Sequence, residues 1–287
     1  MTTVPTAGLS LGMQLYTVRD PLAKQPAETL RRIAAIGYTE VEAFHDDIGE
    51  VAAMARDCGV RVVSTHIGAA TIAGRASTST PTSTSASSAS TAGDALRKTC
   101  DALRAQGVEY VGTYMPYAAC GHTAAFWTER GEHLNEAGRV ARDAGLTFVY
   151  HNHAVELTRL DDGQVPLDVL LRVCDPALVG LELDVFWASI AGADPVSLLE
   201  RLGRRVVLLH LKDKAADTPV FADDRAVPRA AFMEVGAGVL PIAAILKAAE
   251  ACGVRHVFVE QDHTPGDPFA SLERSFRYVR GLAHAVL

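Results

Sequence analysis

The 287-residue sequence contains no CxxC pair. Its five cysteines (58, 100, 120, 174 and 252) are scattered and odd in number. That argues against a disulfide framework or a zinc knuckle and predicts reduced thiols in a cytoplasmic protein. Basic blocks are also missing, basic and aromatic residues do not interleave, and the formal net charge is −7. A nucleic-acid-binding surface is therefore not expected. No run reaches the ~18 apolar residues of a transmembrane helix. The segment Met1–Ser10 lacks the charged and apolar regions of a signal peptide, so neither a membrane partner nor secretion is expected. After the first strand-like run the chain reads Tyr16-Thr17-Val18-Arg19-Asp20, without the Gly-rich phosphate loop of a doubly wound nucleotide-binding sheet.

Apolar residues make up 48% of the chain, ample for a large core. Strand-like runs cover 9–18, 38–44, 60–67, 108–115, 146–153, 179–186, 206–212 and 254–260. Helical patterns alternate with them over 21–36, 48–58, 94–106, 126–144, 166–173, 195–202, 241–251 and 268–285, several ending at a glycine such as Gly37, Gly59 or Gly145. Alternating βα units imply a parallel sheet, and eight of them most simply close into an α/β fold of the (β/α)8 TIM-barrel kind. The whole chain, 1–287, is expected to form this single domain. The exception is a low-complexity Ser/Thr/Ala insertion at 69–93, too poor in apolar residues to offset its ordering entropy and read as a mobile surface segment. Residues 215–239 read as a long loop, with Gly236 and Gly238 forming a turn before the next helix rather than a phosphate cradle.

A buried parallel strand should be almost wholly apolar. Four consecutive strands break that rule at their C-terminal ends: Tyr150-His151-Asn152-His153 followed by Glu156, Glu182-Leu183-Asp184, His210-Leu211-Lys212-Asp213, and Glu260-Gln261-Asp262. Taken singly, Glu260 reads as a salt-bridge partner, His210 as a core histidine and Asp184 as a helix cap. Four in succession point to one site, because barrel enzymes place their chemistry at these strand ends. Carboxylates and imidazoles converging there need a cation. Mixed oxygen and nitrogen donors suit one divalent metal ion, Mn²⁺, Mg²⁺, Co²⁺, Zn²⁺ or Fe²⁺. Expected ligands are Asp184, His210 and Glu260, with Glu156 as the simplest fourth and His151 or His153 as alternatives. Candidate proton-transfer groups are His153, Glu156 and Glu260. Gln14, Tyr16, His66, His151, Trp187 and Lys212 are expected to line the substrate site, with Glu182 lying deeper on the face of Asp184. The expected activity is isomerisation or epimerisation of a small sugar-like polyhydroxy ketone through an enediolate. Dehydration or lysis at the same site is the alternative. A homo-oligomer formed through barrel faces is compatible with the pattern.

Seven segments carry a family resemblance: LGMQLYTVRD (11–20), GYTEVEAF (37–44), YHNHAVEL (150–157), LELDVFW (181–187), LLHLKDK (208–214), VGAGVLPI (235–242) and VFVEQD (257–262). The sequence resembles the sugar phosphate isomerase/epimerase superfamily, the xylose isomerase-like TIM barrels. That group includes endonuclease IV, the tagatose/psicose 3-epimerases and inosose dehydratase. The resemblance implies one divalent metal held by Glu, Asp, His and Glu from strands five to eight, and Asp184, His210 and Glu260 match it. The epimerases carry a Glu within strand five, where this chain has Tyr150-His151-Asn152-His153. This YHNH form is similar to a branch acting on keto-sugars and inososes. An abasic-site endonuclease is disfavoured by the lack of a basic face, and a non-catalytic sugar-binding barrel by the presence of all candidate ligands.

Overall fold

The computed structural model describes residues 8–44, 48–68, 72 and 87–284. The chain opens with strand β1 (Ser10–Gln14), helices α1 (Arg19–Lys24) and α2 (Pro26–Ile36), strand β2 (Glu40–Ala43), helix α3 (Gly49–Asp57) and strand β3 (Arg61–His66). Helix α4 (Ser87–Ala105), β4 (Tyr110–Thr113), α5 (Ala124–Asp143), β5 (Thr147–His151), α6 (Pro166–Val173) and β6 (Val179–Asp184) follow. Next come α7 (Val185–Ile190), α8 (Pro195–Leu202), β7 (Val206–Leu211), β8 (Asp213–Lys214) and β9 (Phe232–Met233). Helix α9 (Ile242–Cys252), strand β10 (His256–Val259) and α10 (Pro268–His284) complete the chain. Strands β1 to β7 and β10 pair in parallel and close into an eight-stranded barrel, β10 lying between β7 and β1. This is the (β/α)8 architecture expected from the alternating pattern.

Several boundaries differ from those expected, each for a local reason. The first strand stops at Gln14, whose side chain accepts the Tyr16 N–H and turns Leu15–Val18 into a 3-10 helix. The single helix expected over 21–36 is two. Pro26 excludes the helical conformation from the preceding Gln25, found at φ −143°, ψ 67°. Strand six ends at Asp184, not 186, because its carboxylate caps α7. Helix α4 starts at Ser87, so the last residues of the 69–93 segment are helical, Ala and Ser posing little bar to extending the amphipathic helix behind them. Residues 69–71 and 73–86 of that segment lie outside the described residues. The 215–239 stretch is more than a loop. β8 and β9 form an antiparallel ladder, and Asp213 Oδ2 accepts the N–H groups of Gly236 (2.9 Å) and Gly238 (3.0 Å) while Oδ1 accepts that of Leu240 (3.0 Å).

The barrel interior is filled in layers. Side chains alternate faces along a strand, so Val149 shares a face with His151, Leu208 with His210, and Phe258 with both His256 and Glu260. Tyr110, Val149, Leu208 and Phe258 form an apolar plug. Gly12 is obligatory beside it, since a Cβ there would sit 2.8 Å from the Phe258 ring. A Cβ at Gly112 would come within 2.7 Å of the His66 ring. At the N-terminal end of the barrel, Glu40 accepts from Ser10 (2.6 Å), His256 (2.8 Å) and Arg61 (2.6 Å). At the C-terminal end lies the site.

Candidate active site

A cavity of about 380 Å³ opens over the C-terminal strand ends, within the range of small-molecule sites. Gln14, Tyr16, His66, His151, His153, Trp187, His210, Lys212 and Glu260 all line it. The closed barrel thus brings together nearly every residue singled out in the sequence.

The strand register sets the centre. Asp184 on β6 is the direct partner of His210 on β7, and His210 is the partner of Phe258 on β10, two residues before Glu260. His210 Nδ1 lies 2.9 Å from Glu260 Oε2 and 3.9 Å from Asp184 Oδ2. His151 Nε2 lies 3.9 Å from the same Asp184 oxygen. The other nitrogen of His210, Nε2, is 2.6 Å from Glu42 Oε1, a carboxylate on the second ring nitrogen that fixes the imidazole plane. Glu42 also accepts from Gln14 Nε2 at 2.6 Å. Deeper still, Glu182 Oε2 meets His66 Nε2 (2.5 Å) and His151 Nδ1 (3.2 Å).

Asp184 does two jobs with its two oxygens. Oδ1 accepts the Trp187 N–H (2.9 Å), capping α7. Oδ2 is buried without a hydrogen-bond partner, although Lys212 Nζ approaches to 3.1 Å. The backbone N–H of Asp184 donates to Asn152 Oδ1 at 3.0 Å, so Asn152 steadies this residue. Nothing in the sequence pattern marked that role. Lys212 is buried and bonds Asp262 Oδ1 (2.6 Å) and Glu260 Oε2 (2.7 Å).

Glu156 does not join the cavity. It follows β5 on a 3-10 turn, Val155–Leu157, which turns its carboxylate onto the Tyr150 hydroxyl (2.5 Å) and the His153 N–H (2.8 Å). Of the strand-five groups, His151 and His153 line the cavity instead, and His151 Nε2 lies 3.9 Å from Asp184 Oδ2.

Burial dominates the electrostatics. It raises Asp184 to about 6 against the pull of Lys212, and raises Glu156 to about 7 despite its hydrogen bond from Tyr150. Burial and the Lys212 charge hold His153 down to about 3, a neutral imidazole. Burial, then the His210 charge, also pushes His151 well below its ordinary range. For Glu260 burial acts upward, but Lys212 and His210 outweigh it and the carboxyl is lowered. Burial and Glu182 raise Glu42. Glu182 is lowered, because His210 and His66 overcome its burial.

The donor set fits a metal. Donor atoms of Asp184, His210 and Glu260 lie within 4.8 Å of one another, as do those of His66, His151, Glu182 and His210. Buried carboxylate oxygens on Glu42, Glu182 and Asp184 have no hydrogen-bond partner. Oxygens left bare in a dry site are what a cation would satisfy. All five cysteines are free and lie outside this set.

Comparison with known proteins agrees with the architecture. A family model described as xylose isomerase-like TIM barrel matches residues 30–282. The chain belongs to that family. An inosose dehydratase of Geobacillus kaustophilus (strain HTA426) is 31% identical over 174 residues, which cover 58% of this chain and 56% of that protein. The chain therefore spans about half the length of the curated relatives it matches. A sugar phosphate isomerase/epimerase from Parabacteroides distasonis superposes with a TM-score of 0.76 at 24% identity, covering 99% of this chain and 96% of the other. The IolI protein with a bound zinc atom superposes with a TM-score of 0.70 at 13% identity, covering 97% and 99%. At these identities the two structures share the fold. Among the described residues, no helix is long and apolar enough to cross a membrane.

Proposed function

We propose that the protein is a divalent-metal-dependent enzyme that removes the proton α to the carbonyl of a small polyhydroxy ketone and then expels the β-hydroxyl, a dehydratase. The observation that carries this is the cluster of Asp184, His210 and Glu260, whose donor atoms lie within 4.8 Å of one another, with His151 3.9 Å from Asp184 and Glu156 turned onto Tyr150. Asp184, His210 and Glu260 would hold the ion, with His151 the strand-five side chain nearest to them. Such an ion would supply the Lewis acidity that makes a hydrogen α to a ketone removable.

His153 lines the cavity and has a buried Nδ1 without a partner, so it accepts that proton. Lys212, paired with Asp262 and Glu260 at the cavity wall, keeps a positive charge beside the reacting atoms. Trp187 and Tyr16 supply apolar walls for the carbon faces of the substrate. The balance is loss of one C–H and one C–OH as water, giving an α-hydroxyenone that tautomerises to a 1,2-diketone.

Isomerisation or epimerisation, expected first from the sequence, shares the proton removal and differs in returning the proton with the hydroxyl retained. Sugar epimerases of this type employ two opposed glutamates. Here only Glu260 of that pair reaches the cavity, and this favours elimination. The similarity to inosose dehydratases supports the same choice.

The test is metal content and α-proton exchange. Wild type is expected to carry about one divalent ion per chain, lost in Asp184→Ala and His210→Ala. With Mn²⁺ or Mg²⁺ supplied, wild type should exchange the α-hydrogen of a ketose or keto-inositol with D₂O and release a diketone. Exchange should fall by about 10³-fold in both variants. Exchange on no ketose or keto-inositol would refute the proposal; exchange without diketone would return the assignment to isomerase or epimerase.

A further inference from the structure

The chemistry above leaves one carboxylate of the cavity unused. Asp224 lines the cavity from the excursion between β8 and β9, and its Oδ1 is buried with no hydrogen-bond partner. Native structures keep few such acceptors, since each forfeits hydration without a protein donor in return. The hydrogen bonds of the neighbouring guanidinium go elsewhere. Arg225 is engaged by Asp223 through Nε (2.9 Å) and a terminal NH₂ (2.7 Å), and its guanidinium lies 5.3 Å over the Tyr117 ring. Burial raises the Asp224 carboxyl above the ordinary aspartate range against the Arg225 backbone N–H, and the Asp223 charge adds to the rise.

The platform that presents Asp224 is fixed. Val227 and Phe232 pack with Phe186 and Trp187 of α7, the two phenyl rings stacked at 4.4 Å. Asp213 ties down the far end of the excursion. A free acceptor on a rigid support is suited to choose between ligands.

The balance of charge around the cavity points the same way. Among the described residues that line it, Lys212 and Arg225 carry the permanent positive charges. Both are matched, Lys212 by Glu260 and Asp262, Arg225 by Asp223. The N–H groups of Gly236 and Gly238, the best candidates in the sequence for a phosphate cradle, already donate to Asp213. Among the described residues, a phosphate entering here would find no unpaired Lys or Arg side chain and would meet the bare oxygen of Asp224.

We propose that Asp224 determines substrate specificity: its Oδ1 accepts a hydrogen bond from a substrate hydroxyl away from the reacting ketone, and its negative charge rejects phosphorylated analogues. The substrate is thus a neutral, unphosphorylated polyhydroxy ketone. This rests on the reading of the cavity as a polyhydroxy-ketone site and narrows it.

The test is calorimetric titration of Mg²⁺-loaded protein with 2-keto-myo-inositol and D-fructose, each against its phosphate monoester. Wild type should bind the neutral member of a pair at least about tenfold more tightly. Asp224→Asn removes the charge and keeps the shape, and should shrink that ratio by about tenfold. Asp224→Ala should weaken the neutral ligand by about fivefold. Metal content and melting temperature should stay at wild-type values in both variants, because Asp224 touches none of the metal-holding groups. Tighter binding of the phosphates by wild type, or unchanged affinities in Asp224→Asn, overturns the inference. Deuterium exchange run in parallel separates the two levels. Exchange confined to phosphorylated ketones overturns the role of Asp224 and leaves the α-deprotonation standing. No exchange and no binding with any probe overturns both.

Discussion

Glu40 and Glu42 stand two residues apart on β2, point to the same side of it and are both buried. Their surroundings are opposite in kind. Glu40, at the N-terminal end of the barrel, has both oxygens occupied, by Ser10 and His256 on one and Arg61 on the other. Glu42, one layer up, shares Oε1 between Gln14 and His210 and has a buried, unpartnered Oε2. Buried oxygens without a hydrogen-bond partner on Glu182 and Asp184 extend the shortage across that layer. One end of the barrel is electrostatically finished and the other is left open. Full pairing rigidifies a structure, whereas unmet demand in a cleft is the mark of a site awaiting a ligand.

The contrast can be broken at either end. The largest stability effect is expected from Glu40→Ala, which strands the buried His256 and leaves Arg61 only its pairing with Glu109. It should lower unfolding free energy by about 2–3 kcal/mol. Chemical denaturation would measure that loss, with metal content unchanged. An equal loss of metal would mean the two ends are coupled.

Asp184→Asn should do the reverse. Asn remains a good helix cap, so α7 keeps its first turn, while one buried carboxylate charge disappears. Unfolding free energy should stay within about 1 kcal/mol of wild type or rise, although metal retention is lost. A large destabilisation would show that Asp184 is primarily structural.

The smallest effect is in acid. Burial favours protonated Glu40, but His256, Ser10 and Arg61 together lower it from 4.5 to about 2. Its folded pKa is depressed, so its contribution is complete above the unfolded value of 4.5 and drains away as pH falls toward 2. Glu40→Gln, which has no proton to take up, should show a flatter decline of stability across that window in denaturation series at stepped pH. Parallel curves would remove Glu40 from the acid response.

The two ends were not equally legible in the sequence. Asp184, His210 and Glu260 stood out because a carboxylate or imidazole interrupts an apolar run, and such an interruption at a strand end has few structural uses. Glu156 failed to follow the same logic. It lies past the end of β5, where a single 3-10 turn decides its direction, and that turn carries it to Tyr150. Asp224 gave no signal at all, since it sits in an irregular stretch whose packing on Phe186 and Trp187 depends on α7. Even the pairing of Glu40 was hidden, because His256 and Arg61 reach it only once β10, β1, β2 and β3 are side by side.

The sequence by itself determined the alternation of strands and helices, the closed parallel barrel, and the strand ends that carry polar groups. All of these follow from periodicity along the chain and from the rule that interior strands are apolar. Tertiary structure alone decided which oxygens are satisfied and which are bare, which nitrogen of His210 faces Glu42 and which faces Glu260, and that Asp224 overlooks the cavity. Hydrogen-bond satisfaction is a property of neighbours in space, and closure of the barrel brings together residues more than 200 positions apart, as in the contact of Glu40 with His256, 216 positions apart, or of Gln261 with Thr17, 244 apart.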